Sequence, residues 1–116
     1  MLGLGTDIIE IERVAAAMQR ERFVQHVFTP KEQAWLQTQG QMIQSAAGLW
    51  CAKEAVAKAL GTGFRDGLNM KDIEIGHTEL GAPVVCKPAG SFLLSITHCK
   101  EYAAATAILI EREQEQ

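Results

Sequence analysis

The sequence is short of cysteine, of positive charge and of long apolar runs, and each shortage removes a class of protein. Its three cysteines, Cys51, Cys86 and Cys99, sit at wide, irregular spacing that suits neither a disulfide framework nor a CxxC zinc site. Lys and Arg number 11 against 14 Asp and Glu, a formal charge of −3, so the basic excess of a general nucleic-acid or anionic-membrane binder is missing. No apolar run approaches the ~18 residues a membrane span needs. The opening MLGLGTDIIE lacks the basic n-region of an export signal. Repeats, low-complexity tracts and linkers are absent as well. The expectation is a soluble cytoplasmic protein with reduced thiols.

What remains is ordinary in bulk. With 116 residues, 47% hydrophobic and 22% charged, the chain suits one folded domain over 1–116, with a core of modest depth. Leu2 to Ile9 has strand character, broken by Gly3 and Gly5 and carrying Asp7. From Glu10 to Met18 the apolar positions Ile11, Val14, Ala15 and Met18 recur at helical spacing. Thr29-Pro30-Lys31-Glu32 is a helix start, with Thr29 as cap, Pro30 in first position and Glu32 completing a capping box. That helix passes Trp35 and Leu36 and stops near Gly40. A longer helix, Ile43 to Leu60, is apolar almost all round and closes at Gly61.

The second half reads as extended: Asp72 to Ile75, a turn at Leu80-Gly81-Ala82-Pro83, then Val84 to Lys87. Ser91 to His98 and Tyr102 to Ile110 make an antiparallel pair, and Glu111 to Gln116 is a frayed tail. Helices early and strands late predict an α+β fold, with the helices packed on an antiparallel sheet that includes the N-terminal strand.

A few residues depart from this pattern. Glu54 is isolated on the apolar helix, where an unpaired carboxylate is costly. It either pairs with Lys58 one turn on or serves as metal ligand or general base. Asp7 is a second carboxylate in apolar surroundings; it either caps the helix that begins at Glu10 or shares a cation with Glu54. Two carboxylates on separate rigid elements suit Mg²⁺, which leaves its other positions to water and phosphate oxygens. Lys58, in the last helical turn, either answers the helix dipole or neutralises a transferred phosphoryl group. Gly61-Thr62-Gly63 follows a helix C-terminus and reads as a stop before it reads as a phosphate loop. His98 is a polar turn residue unless other residues recruit it. Arg13, Arg20 and Arg22 are either a solvated mixed-charge face or a dock for an acidic partner. Trp35 and Trp50 read as core or interface packing, and no cysteine has the setting of a nucleophile.

GLGTDIIEIERV at 3 to 14, FTPKE at 28 to 32, WCAKEAVAKALGTG at 50 to 63 and SITHCKEYAAATAIL at 95 to 109 occur in that order. Together they resemble the bacterial holo-(acyl-carrier-protein) synthase family, the short 4′-phosphopantetheinyl transferases, over nearly the whole chain. The resemblance implies that family's fold and Mg²⁺-dependent transfer of 4′-phosphopantetheine from coenzyme A to a serine of apo acyl carrier protein. Adenosine 3′,5′-bisphosphate would be released, and the setting would be fatty acid biosynthesis. By resemblance, Asp7 and Glu54 are metal ligands, and Asp7, Glu54 and Lys58 are the catalytic set. Lys58, Gly61, Gly63, Gly81, Pro83, Thr97 and His98 would hold coenzyme A. Arg13, with Arg20 and Arg22, would meet the acidic carrier, and the assembly would be a homotrimer with sites between subunits.

Three positions depart from the family pattern by lacking cations: Leu49, the stretch Thr38 to Ser45, and Ala82. They lead to the expectation that coenzyme A binds weakly and that Leu49→Arg lowers its KM. The competing reading is a carrier-binding module on the same scaffold, with weak or no transfer.

Overall fold

A computed structural model of the chain describes residues 2–65 and 67–111. Strand β1 (Gly3–Glu10) leads into four helices, α1 (Ile11–Met18), α2 (Glu21–Val27), α3 (Pro30–Gln37) and α4 (Met42–Ala59). A 3-10 turn at Met70–Asp72 precedes β2 (Glu74–His77), β3 (Pro83–Lys87), β4 (Ser91–His98) and β5 (Tyr102–Glu111). The fold is α+β. Among the described residues no helix is long and apolar enough to cross a membrane. The tail expected to fray falls, beyond Glu111, on 112–116, outside the described residues.

The expected sheet is in fact two. β1, β5 and β4 form an antiparallel sheet in that order, and β2 pairs with β3 alone. The β2–β3 register slips between Glu74 and Ile75, where the Ile75 N–H donates to the Glu32 side chain. Helix α2 was not legible: its Phe23, Val24 and Val27 carry no cap signal, and the Arg20 cap makes no side-chain bond. At α3 the Thr29–Glu32 capping box forms as the spacing predicts, Thr29 Oγ1 accepting from Glu32 N at 3.2 Å and Glu32 Oε1 from Thr29 N at 2.9 Å.

Small residues let α4 lie directly on the three-stranded sheet. An added Cβ at Gly5 would come within 1.9 Å of the Ala55 carbonyl oxygen, and at Gly3 within 1.8 Å of that of Ala59. Ala52, Ala55 and Ala59 of α4 and Ala103, Ala105 and Ala107 of β5 are all buried here. This close approach carries the polar residues of α4 to the level of the β1 backbone.

The sheet has two unlike faces. Gly5, Asp7 and Ile9 face α4, each across β5 from Leu94, Ile96 and His98 of β4 in turn. On the outer face stand Leu4 and Leu93 at either side of Ile108, and Ile8 beside Ala104. That face is open, with Ile8 67% and Leu4 57% exposed.

Candidate active site

Asp7 is not a helix cap. It lies inside β1 opposite Ala105, and Glu10 takes the cap position of α1. Strand alternation points Asp7 at α4, where Lys58 Nζ donates to Asp7 Oδ1 at 3.1 Å and to the Thr6 carbonyl at 2.9 Å. Lys58 therefore pairs across elements with Asp7, and the expected Glu54–Lys58 bridge is not among the ion pairs of the described residues. The Asp7 side chain is 17% exposed and that of Lys58 48%, so the pair opens to solvent.

Glu54 stands one turn before Lys58 on the same flank of α4. Burial and the nearby Asp7 push its carboxyl above the ordinary carboxylate range, against the opposing pull of Lys58. Cys51, also beside Asp7, donates its Sγ–H to the Ala103 carbonyl at 3.3 Å. Burial, then the Asp7 charge, push its thiol up to about 12, so this cysteine is inert as expected. Among the described residues no group of three or more His, Cys, Asp or Glu side chains is placed to hold a metal unaided. Asp7 and Glu54 nevertheless fit Mg²⁺: both are hard oxygen donors, and their mutual repulsion is relieved by a cation.

The turn after α4 behaves as a helix stop. Gly61 and Gly63 adopt positive φ, 94° and 60°, and their N–H groups donate to Lys58 and Ala57 carbonyls at 2.9 and 3.1 Å. Those amides are spent on the helix end. What the glycines offer a ligand beside Lys58 is a close backbone approach.

Above Glu54 on the same flank, Trp50 stacks on Phe23 of α2, ring centroids 5.6 Å apart. A hollow of about 500 Å³ opens beside the stack, lined by Ile9, Arg13, Val14 and Arg20 as well as both rings. A second, of about 530 Å³, lies on its other side between Arg20, Arg22, His26 and Met70. The three arginines thus rim the hollows on the Phe23–Trp50 stack.

The remaining expected residues gather elsewhere. Gly81, Pro83 and His98 line a cavity of about 210 Å³ together with Trp35, His77 and Leu49. The Trp35 and His77 rings stack, with centroids 3.9 Å apart and planes 7° from parallel. Burial pulls the His77 imidazolium below its ordinary range. Thr97 does not join His98: adjacent strand residues point to opposite faces, and Thr97 lies on the outer one beside Ala104. Leu49 is 1% exposed and lines this cavity, so an arginine in its place would start from the cavity wall.

Helix α4 separates the two groups. Ser45, Gly48 and Leu49 face the cavity; Trp50, Glu54 and Lys58 occupy the opposite flank. Among the described residues, the cavity that His98 lines includes none of Asp7, Glu54 and Lys58.

Sequence reasoning missed one charged pair altogether. Lys53 Nζ meets Glu32 Oε1 at 2.5 Å with both side chains fully buried. The available signal was a lysine within the apolar run of α4 and a glutamate read only as half of a capping box.

These features meet in one group of proteins. Residues 3–107 match the model of the 4′-phosphopantetheinyl transferase superfamily, and the chain belongs to that family. Within it, the chain is similar to holo-(acyl-carrier-protein) synthases. It is 38% identical over 122 residues to that of Fusobacterium nucleatum, covering 95% of this chain and 99% of the relative. It is 42% identical over 117 residues to that of Protochlamydia amoebophila, covering 92% and 96%. The crystal structure of the Bacillus anthracis synthase in complex with CoA (3′,5′-ADP) superposes with a TM-score of 0.86 at 31% identity over 97% of both chains. The Helicobacter pylori synthase in complex with coenzyme A gives 0.81 at 28% identity, covering 91% of this chain and 98% of that one.

Proposed function

We propose that this chain is a holo-(acyl-carrier-protein) synthase, a single transferase domain over 1–116 that moves 4′-phosphopantetheine from coenzyme A to a serine of apo acyl carrier protein. The observation that carries the reading is the Asp7–Glu54–Lys58 cluster, two carboxylates and an ammonium fixed on rigid elements at an open edge. Asp7 and Glu54 would hold Mg²⁺, which when bound supplies positive charge to the pyrophosphate. Lys58, half exposed beside them, binds phosphoryl oxygens and meets the negative charge that grows on the leaving group. The serine oxygen bonds to the pantetheine-bearing phosphorus as the pyrophosphate P–O bond breaks and adenosine 3′,5′-bisphosphate departs. The hydroxyl proton passes to Glu54, directly or through water.

The arginine-rimmed groove beside Phe23 and Trp50 is the docking face for the carrier. Arg13, Arg20 and Arg22 answer an acidic surface, and Trp50 stands one turn from Glu54, so a docked serine arrives at the cluster. Coenzyme A contacts Lys58, Gly61 and Gly63 in one subunit and Gly81, Pro83 and His98 in a neighbouring one, with Thr97 on the opposite sheet face outside that wall. Two features support a site shared in this way: α4 divides these groups within a chain, and the outer sheet face is apolar and open around Ile8, Leu4 and Leu93. A homotrimer is the assembly assigned here, working in the cytoplasm in fatty acid biosynthesis; free thiols suit that compartment.

Incubation with apo acyl carrier protein, coenzyme A and Mg²⁺, followed by mass spectrometry of the carrier, tests the reading. A phosphopantetheinylated carrier is expected, together with loss of product in Asp7→Ala and a trimer mass by light scattering. Carrier that binds yet gains no mass would leave only a binding module.

A further inference from the structure

We infer that the buried Glu32–Lys53 pair is a positioning device for the cavity that carries Gly81, Pro83 and His98. One carboxylate joins three elements. Glu32 Oε1 accepts from Thr29 N and from Lys53 Nζ at 2.5 Å, and Oε2 accepts from the Ile75 N–H at 2.8 Å. Both side chains are fully buried, and no buried side-chain polar atom among the described residues lacks a partner. Burial lowers the Lys53 ammonium, and Glu32, then Glu74, oppose it, while Lys87 adds to the lowering.

A buried ion pair is a poor way to gain stability, since well-packed apolar side chains of like volume hold a core as well or better. What it supplies is direction. A carboxylate with several bonded neighbours accepts one arrangement of them, whereas leucine and methionine tolerate several. Each anchor stands one repeat from a cavity wall. Glu32 is one turn before Trp35 on α3, Lys53 one turn after Leu49 on α4, and Ile75 two residues before His77 on the same face of β2. The near-parallel Trp35–His77 stack, at 3.9 Å and 7°, is the arrangement so fixed. The pair touches none of the cavity's contents; it acts through these walls.

This inference rests on the proposed reading of the cavity as part of the coenzyme site, and the experiment keeps the two apart. The wild type is first assayed for transfer to apo acyl carrier protein and for binding of coenzyme A by calorimetry. Absence of both counts against the proposed function and, with it, this inference. With wild-type activity in hand, the double variant Glu32→Leu/Lys53→Met is compared for thermal unfolding, KM and kcat, and the ring-current shifts of His77. The expected result is a lowered midpoint with unfolding still cooperative, since the Thr29 and Ile75 N–H groups lose their acceptor, together with altered His77 ring-current shifts and KM and Kd for coenzyme A raised roughly tenfold, with kcat changed much less. Wild-type KM and Kd in the folded double variant overturn the inference. Loss of cooperative unfolding overturns it too, because the pair would then serve the fold rather than the site. Trp35→Leu gives an independent arm: the same rise in Kd is expected, and adding it to the double variant should raise Kd little further. Full additivity would separate the pair from the wall.

Discussion

Helix α4 carries two lysines, Lys53 and Lys58, and each meets a carboxylate from a distant part of the chain. The Glu32–Lys53 pair is closed: both side chains are fully buried, and the carboxylate is saturated by Thr29, Ile75 and the ammonium. The Asp7–Lys58 pair is open, with longer contact, a half-exposed ammonium and a second carboxylate, Glu54, crowding it. The same two functional groups therefore do opposite things. Saturation and dryness make the first a fixed strut. Unspent lone pairs, like-charge crowding and solvent access leave the second able to exchange partners, which a site for an anionic substrate requires.

The contrast breaks most visibly at the closed pair. Lys53→Met leaves a bonded carboxylate buried without its cation and is expected to cost about 3–5 kcal/mol in chemical denaturation. Lys58→Met should cost less than about 1 kcal/mol, since its pair is exposed and screened. Equal losses at the two positions would erase the distinction.

Activity should sort the other way. Glu54→Ala is expected to slow carrier modification by about 10²–10³-fold, read as product mass over time, with unfolding little changed. Arg13→Glu acts further out, through encounter with the carrier. It should raise the carrier KM roughly tenfold, and the rise should shrink as salt is added.

The smallest effect carries a sign. The Glu54 carboxyl has a folded-state pKa above its unfolded value, so the folded chain holds a proton there that the unfolded chain has released. Stability without divalent cation should therefore fall as pH rises through the window from the ordinary carboxylate value to the raised one. Glu54→Gln should flatten that slope and, at neutral pH, raise the unfolding midpoint by a small amount. A stability that instead rose with pH through this window, with Glu54 as its cause, would reverse the account.

Much of the scaffold was legible because its signals are local. The capping box at Thr29 and Glu32, the apolar stripe of α1, the Gly61 stop and the β4–β5 hairpin each depend on residues within a turn or two of one another. The candidate residues Asp7, Glu54 and Lys58 stood out for a related reason: charge in an apolar run is visible in a string of letters. Where competing readings were both local, the sequence offered no choice. Asp7 as cap and Glu54 paired to Lys58 were reasonable at their spacings, and only the register of β1 against β5 and the depth of α4 on Gly3 and Gly5 removed them. Helix α2 escaped notice because a short segment with no side-chain cap takes its form from packing, here the Phe23–Trp50 stack.

Residue identity and order alone determined the α+β class, the family motifs and the unusual placement of three charges. Those are properties of composition and short-range periodicity, which do not depend on how the chain closes on itself. Tertiary structure decided which charge meets which, that the Lys53 pair is buried and the Lys58 pair open to solvent, that β2 and β3 leave the main sheet, and that the cavity of His98 lies across α4 from Glu54. The physical reason is range. An ion pair between Glu32 and Lys53, or a helix resting on a glycine backbone, depends on distances through space that no spacing along the chain records.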